Sequence, residues 1–295
     1  MGTNGNGRKQ ALHFHHPPNR VVSLIPSMTE SLFDLGFGDS VVGITDYCIH
    51  PADQLQNLPR VGGPKNPRVD EILKLKPDLV LANQEENSKK TVEQLEAEGV
   101  PVLVTFPKTV RQALDILWTL TGLYHSQTAA ARLESLEFTL EWIQSASPIE
   151  KRRYFCPIWR GTTHSGINWW MTFNHDTYMH DLLDIVGGEN VFADRVRHYP
   201  LEADLGQIPV QDSGDHDTRY PRVTLNEIIE KDPEMIILPT EPFEFSESEK
   251  SGIQQLMGET TAVKNEQIHL VDGSILTWHG TRLGKALQEL PSLFS

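Results

Sequence analysis

Cysteine is scarce in this chain: Cys48 and Cys156 are the only two among 295 residues. Two thiols are too few for a disulfide framework or a four-ligand structural zinc site. A single bridge between them stays open, and burial as small apolar side chains is the expectation. Basic residues are also in deficit, 26 against 40 acidic, for a formal charge of -14. An acidic chain lacks the face that nucleic-acid phosphates require, so no nucleic-acid partner is expected, and the charge is read as serving solubility. No run approaches the roughly 20 apolar residues of a membrane helix, which excludes helical membrane insertion. Met1 to Pro18 is Gly-, Asn- and His-rich, with no apolar core of a secretory signal. As written, the chain is expected in the cytoplasm unless a signal was removed. The run His13-Phe14-His15-His16 is read as polar tail rather than as a metal site. Enzyme signatures are missing too. There is no Gly-x-Gly-x-x-Gly after a strand, no Walker A loop, no Gly-x-Ser-x-Gly elbow and no His-Glu-x-x-His, so no catalytic activity is expected.

What is present is a repeat. Glu71-Ile72-Leu73-Lys74-Leu75-Lys76-Pro77-Asp78-Leu79-Val80-Leu81 is answered 156 residues later by Glu227-Ile228-Ile229-Glu230-Lys231-Asp232-Pro233-Glu234-Met235-Ile236-Ile237. Each copy reads as a helix end, a Pro-Asp/Glu turn and a buried strand. A second echo, Leu35 to Val41 against Ile185 to Val191, keeps the same order. The repeats predict two similarly built lobes, and a cleft between two lobes is a place for a small ligand.

Short apolar runs without alternation mark strands at Arg20–Ile25, Val41–Ile44, Leu79–Ala82 and Val102–Val104, then Tyr154–Ile158, Met235–Leu238 and Ile268–Val271. Helical patterns separate them. Such runs are the signature of parallel sheets covered on both faces. The expected fold class is therefore α/β, with two Rossmann-like lobes carrying parallel sheets and a ligand cleft between them. Ser126 to Ser145 has apolar residues at helical spacing and no internal Gly or Pro, with Pro148 beyond it. At 1.5 Å per residue it would span about 30 Å, a rigid connector between the lobes. The expected boundaries are a polar tail at 1–19, a lobe at 20–124, the connecting helix at 125–148 and a second lobe at 149–295. The polar stretch at about 194–220 is longer than ordinary connections and is read as a functional loop, a lid or a disordered insert.

Aromatic residues follow the strands. Tyr47, Phe106, Trp159, Trp170 and Trp278 all fall beyond predicted carboxyl ends, where open α/β sheets bind ligands. They are expected to give a flat or conjugated ligand its apolar contact. Ser27, Glu85 and Glu241 are the candidates for orienting its polar edges. A rival reading takes His164, His175, His279 or Cys48 as ligands of a bare metal ion or of a metalloenzyme, although none of the twelve histidines has a tight ligand spacing.

Arg20-Val21-Val22-Ser23-Leu24-Ile25-Pro26-Ser27-Met28-Thr29-Glu30, Gly43-Ile44-Thr45-Asp46-Tyr47-Cys48, Leu75-Lys76-Pro77-Asp78-Leu79-Val80 and Gly187-Gly188-Glu189-Asn190-Val191-Phe192 together resemble the cobalamin-type substrate-binding proteins of ABC importers. These belong to the helical-backbone metal receptor superfamily, with the class III periplasmic-binding-protein fold. The resemblance spans about residues 20 to 290. It implies two α/β lobes joined by one long helix. It implies a ligand that is a corrinoid or related metal chelate, with haem, a ferric siderophore or a bare ion as alternatives. It implies an importer permease as partner, for a chain expected to be monomeric. Relatives are periplasmic or surface-anchored; a cytoplasmic regulatory derivative is the other possibility. Tyr47 matches a cleft tyrosine of the cobalamin group, whereas Asn83 stands where relatives often carry an aromatic. Importer docking in the family uses one acidic residue per lobe. Asp70 matches in the first; in the second, Asn226 holds the place and Glu227 is adjacent.

Overall fold

The computed structural model describes residues 16–146 and 150–294. Most of the predicted polar tail, including His13 to His15, and the Pro148 expected beyond the connector lie outside the described residues. The chain divides into two compact units.

The first unit alternates β1 (Val21–Ser23), α1 (Pro26–Asp34), β2 (Val41–Ile44), α2 (Val69–Lys74), β3 (Leu79–Asn83), α3 (Lys89–Ala97) and β4 (Val102–Thr105). All strand pairs are parallel, in the order β2-β1-β3-β4. Every residue of β1 and β3 is buried, as expected of parallel strands covered on both faces. Val22, Val80, Ile72 and Leu95 pack one side of that sheet against α2 and α3.

Two long helices follow, α4 (Val110–Tyr124) and α5 (Gln127–Ala146). The predicted connector at Ser126–Ser145 thus coincides with the 20-residue α5. Both helices are shared: Ile116–Arg132 belongs to the first unit, while Pro107–Asp115 and the chain from Leu133 onward belong to the second.

The second unit contains β5 (Arg152–Phe155), β6 (Trp159–Thr162), β7 (Asn168–Met171), α6 (Tyr178–Ile185), β8 (Gly188–Asn190), α7 (Leu201–Asp204), β9 (Arg222–Thr224) and α8 (Leu225–Lys231). It continues with β10 (Met235–Pro239), α9 (Glu247–Leu256), α10 (Thr261–Lys264), β11 (Ile268–Val271), α11 (Ser274–Thr277), α12 (Leu283–Glu289) and α13 (Pro291–Phe294). Its main sheet is again parallel, ordered β11-β10-β5-β8. Beside it stands a small antiparallel sheet, β6-β7-β9, that the apolar runs do not announce. Its strands are three or four residues long and interrupt their apolar residues with Arg, Gly, Thr and Asn. Trp170 and Val223 point from it into the core formed by Phe155, Phe192, Ile236 and Leu238.

The repeat is reproduced down to its turn. Lys76 and Asp232, equivalent positions, both adopt left-handed backbone angles, with φ of 48° and 42°. Each ends its helix ahead of a proline that cannot continue it.

The 194–220 stretch is built around one carboxylate. Asp204, 1% exposed, accepts from the His198 amide at 2.8 Å and the Arg222 amide at 2.7 Å, and pairs with the Arg195 guanidinium at 3.1 Å. A buried charge held by three donors ties together the backbone on both sides of α7.

Candidate functional site

In each parallel sheet the strands deliver their loops to the same carboxyl edge, and the predicted ligand residues sit on those loops. In the first unit, Tyr47 occupies the turn after β2 and is 65% exposed. Its neighbours hold it there. Thr45 and Cys48 are fully buried, Arg60 Nη1 donates to the carbonyls of Thr45 and Cys48 at 2.8 and 2.7 Å, and the Asp46 amide donates to Gly62 at 2.9 Å. Anchoring on either side leaves the phenol facing water, over Gly63.

Ser27 lies in the first turn of α1. It is 4% exposed, and its hydroxyl has no hydrogen-bond partner among the described residues. Ile25 at the N-cap contributes no side-chain cap. The first turn of α1 thus offers uncapped amides and a hydroxyl whose bonding capacity is unused.

Asn83 is 2% exposed and structural. Its Oδ1 accepts from the Glu85 amide at 2.7 Å, its Nδ2 donates to Thr105 at 3.2 Å, and its own amide donates to Asn87 Oδ1 at 2.7 Å. This asparagine pair shapes the loop that leaves Glu85 exposed. Phe106, just after β4, is half-buried.

In the second unit, Trp159 is 43% exposed and meets Phe243 edge to face at 5.6 Å. Glu241 follows β10 and accepts from the Thr277 hydroxyl at 2.8 Å. Gly273 permits that approach: a Cβ there would lie 2.5 Å from the Glu241 backbone nitrogen. Trp278, half-buried, lies under the Arg282 guanidinium at 4.6 Å. Next to it His279 is buried, and burial depresses its pKa to about 4, so its ring is neutral at ordinary pH.

Trp170 is a correction. It is 2% exposed and belongs to the core. Successive strand side chains point to opposite faces, so the accessible member of the pair is Trp169. Trp169, Met171 and Arg222 share the open face of the small sheet with Trp159. The Trp169 ring lies across Gly161, where an added Cβ would sit 2.4 Å from Cζ2. The sequence sets Trp169 beside Trp170 without telling which is inside, and Met171, Gly161 and Arg222 join the open face only through strand pairing.

The histidine-based rival loses its geometry. Among the described residues no group of three or more His, Cys, Asp or Glu side chains is arranged to hold a metal ion. His164 is exposed, His279 is buried, and His175 Nδ1 lies 2.7 Å from the Ala193 carbonyl. Cys48 and Cys156 are both free and buried. Cys48 sits against the hydroxyls of Thr29 and Thr45 at 3.1 and 3.2 Å. The open bridge between the thiols is therefore not made.

The two proposed docking acids differ in state. Asp70 is exposed in the first turn of α2. Glu227 closes a capping box with Thr224 and pairs with Arg195 at 3.1 Å, so its carboxylate already caps α8, while Asn226 beside it is exposed.

The profile of a family described as periplasmic binding protein matches residues 21–274. An uncharacterized ABC transporter substrate-binding lipoprotein, YvrC of Bacillus subtilis (strain 168), is 26% identical over 283 residues, 92% of this chain and 79% of that protein. The vitamin B12-binding protein of Yersinia pestis (strain Pestoides F) is 26% identical over 219 residues, 74% of this chain and 69% of its own length. Among solved structures, the periplasmic vitamin B12 binding protein BtuF of Vibrio cholerae superposes with a TM-score of 0.72 at 21% identity, covering 94% of this chain and 97% of that one. With the two parallel sheets, the duplicated helix-turn-strand and a match over most of its length, the chain belongs to the periplasmic binding protein family.

Proposed function

We propose that the chain binds a corrinoid or a closely related metal chelate without transforming it, and presents it to an ABC importer permease. The observation that carries this reading is the placing of exposed aromatic rings, Tyr47 and Trp159, at the carboxyl edges of the parallel sheets, on a family scaffold whose relatives include a vitamin B12-binding protein. Tyr47, Phe106, Trp159 and Trp278 provide apolar contact, and Trp169 takes the role first assigned to Trp170. The unpartnered Ser27 hydroxyl and the Glu241 carboxylate meet polar groups on the ligand's rim. Asp70 is the docking residue of the first unit. Glu227 serves docking only if it gives up its capping bonds, so the second contact falls to Asn226 or another residue. The chain acts as a monomer.

Titration with cyanocobalamin tests the reading. At 100 times its dissociation constant the ligand should stabilise the fold by about 2.7 kcal/mol, seen as a raised melting temperature, and should quench tryptophan emission. Tyr47→Ala should weaken binding by about 1–3 kcal/mol. No shift of melting temperature with any corrinoid would sink the proposal.

A further inference from the structure

One buried side chain ties together three stretches of backbone at the carboxyl edge of the first sheet. Asn87 is 6% exposed. Its Nδ2 donates to the Pro64 carbonyl at 2.9 Å and to the Leu24 carbonyl at 3.3 Å, and its Oδ1 accepts from the Asn83 amide at 2.7 Å. Leu24 follows β1 and Asn83 ends β3. Pro64 belongs to a segment that runs beside the end of β2, where the Val61 amide donates to the Ile44 carbonyl at 2.9 Å. The partners fix the orientation of the amide: two carbonyls demand donors, and one N–H demands an acceptor. Aspartate has the same shape but would turn a bare oxygen toward a carbonyl.

The segment that Asn87 holds lies under Tyr47. Gly62, Gly63 and Pro64 each take one contact. The Asp46 amide donates to the Gly62 carbonyl at 2.9 Å, Cε2 of Tyr47 lies 3.5 Å from where a Cβ on Gly63 would stand, and Asn87 holds Pro64. Lys65, the next residue, donates from Nζ to the Glu85 carbonyl, a second tie between the same two loops. Tyr47 is 65% exposed, so core packing does little to place its ring. The backbone strip beneath it does, and that strip is anchored from below by Asn87.

We propose that Asn87 is a positioning residue for ligand binding in the first unit. It is buried, and it acts through the Gly62–Pro64 strip to hold the Tyr47 turn in its binding conformation. Such preorganisation lowers the ordering cost of binding. The inference rests on the proposed corrinoid reading and adds to it the residue that prepares its most exposed aromatic contact.

The full chain is titrated with cyanocobalamin in a double-mutant cycle of N87A and Y47A. N87A alone should raise the dissociation constant about tenfold, but less than about threefold where Tyr47 is already alanine. A side chain that only supports the fold costs the same factor in both backgrounds. Lys65→Ala, an exposed position, keeps the test open should N87A not fold. It cuts the other tie and should weaken binding about threefold with the Tyr47 ring present and not at all without it. Hydrogen exchange followed by NMR supplies a readout that needs no ligand. The Asp46 amide should exchange at least about threefold faster in the Asn87 or Lys65 variant. It should keep its rate in Leu238→Ala, a core substitution in the second unit. A loss that is the same with and without Tyr47, a dissociation constant unmoved by either variant, or an Asp46 rate unmoved or changed equally by Leu238→Ala overturns the inference and leaves the corrinoid reading standing. If the wild-type chain binds no corrinoid, that reading falls, and the exchange rates alone decide whether Asn87 holds the Tyr47 turn.

Discussion

Arg153 donates from Nη1 to the carbonyl of Asp232 at 3.0 Å, and so closes the end of α8 from the first strand of the same sheet. The first unit does the same with different residues: Arg20 donates from Nε to the Leu75 carbonyl at 2.9 Å. The acids after the prolines match as well. Asp78 accepts from the Arg20 amide at 3.0 Å, and Glu234 from the Arg153 amide at 2.9 Å. The repeat is therefore a repeated device, in which an arginine satisfies helix-terminal carbonyls and an acid satisfies the arginine's own backbone.

The two left-handed residues inside that device respond differently to glycine. Among the described residues the Lys76 side chain makes no compensating bond, so Lys76→Gly relieves backbone strain and should stabilise by about 0.5–1 kcal/mol. Asp232 caps α10, accepting from the Thr261 amide at 2.7 Å and its hydroxyl at 2.9 Å. Asp232→Gly should therefore destabilise by about 1 kcal/mol despite the same relief. Urea unfolding of the two variants checks the opposite signs.

Gly161→Ala tests how the open face is built. The new methyl cannot coexist with the Trp169 ring in its present place, so the indole must swing away. The expected result is a red-shifted tryptophan emission and a loss of about 1–3 kcal/mol, the range for overpacking. An unchanged spectrum and stability would mean that Trp169 does not lie across the glycine.

Acid should expose His279. Its folded pKa, depressed by burial to about 4, lies below its ordinary 6.5, so the unfolded chain binds more protons between those values. Its contribution is complete above about pH 6.5, falls as pH drops through that window, and reaches a loss on the order of 3 kcal/mol near pH 4. His279→Gln should flatten this part of the pH–stability curve, measured by denaturant titration from pH 4 to 7.

The thiols should be silent. Burial raises the pKa of Cys48, with the Thr29 and Thr45 hydroxyls pulling the other way, and burial raises Cys156 as well. Thiolate is the reactive form, so a disulfide reagent at pH 8 should label neither cysteine in the native chain and both in guanidinium. Fast labelling of either in the native protein contradicts the packing.

The parallel strands were legible because burial on both faces leaves uninterrupted apolar runs such as Leu79–Ala82 and Met235–Leu238. Helix α5 was legible from its apolar spacing and its lack of Gly and Pro, to within one residue at either end. Strand β7 was not. In Trp169-Trp170 both faces of a strand carry the same side chain, so composition cannot say which one is inside; the pairing of Arg222 with Met171 and the fit of Trp169 on Gly161 decide it. Arg222 was equally hidden. Its half-burial follows from the clasp of Asp204 on its backbone, a contact across a loop that no local pattern records. Asn83 was noticed as a departure, but its work in shaping the loop through Asn87 depends on a turn visible only in three dimensions.

The sharing of α4 and α5 bears on how this protein is made and cut. The chain crosses between its two units after Phe106, again after Asp115 and again after Arg132. No single nick separates them. A ribosome releasing residues up to Phe106 has released a sheet still waiting for Ile116–Arg132, and a protease cutting between α5 and β5 leaves the Pro107–Asp115 and α5 portions of the second unit on the other fragment. Neither unit is one continuous stretch of chain, so a cut at a single linker does not isolate either.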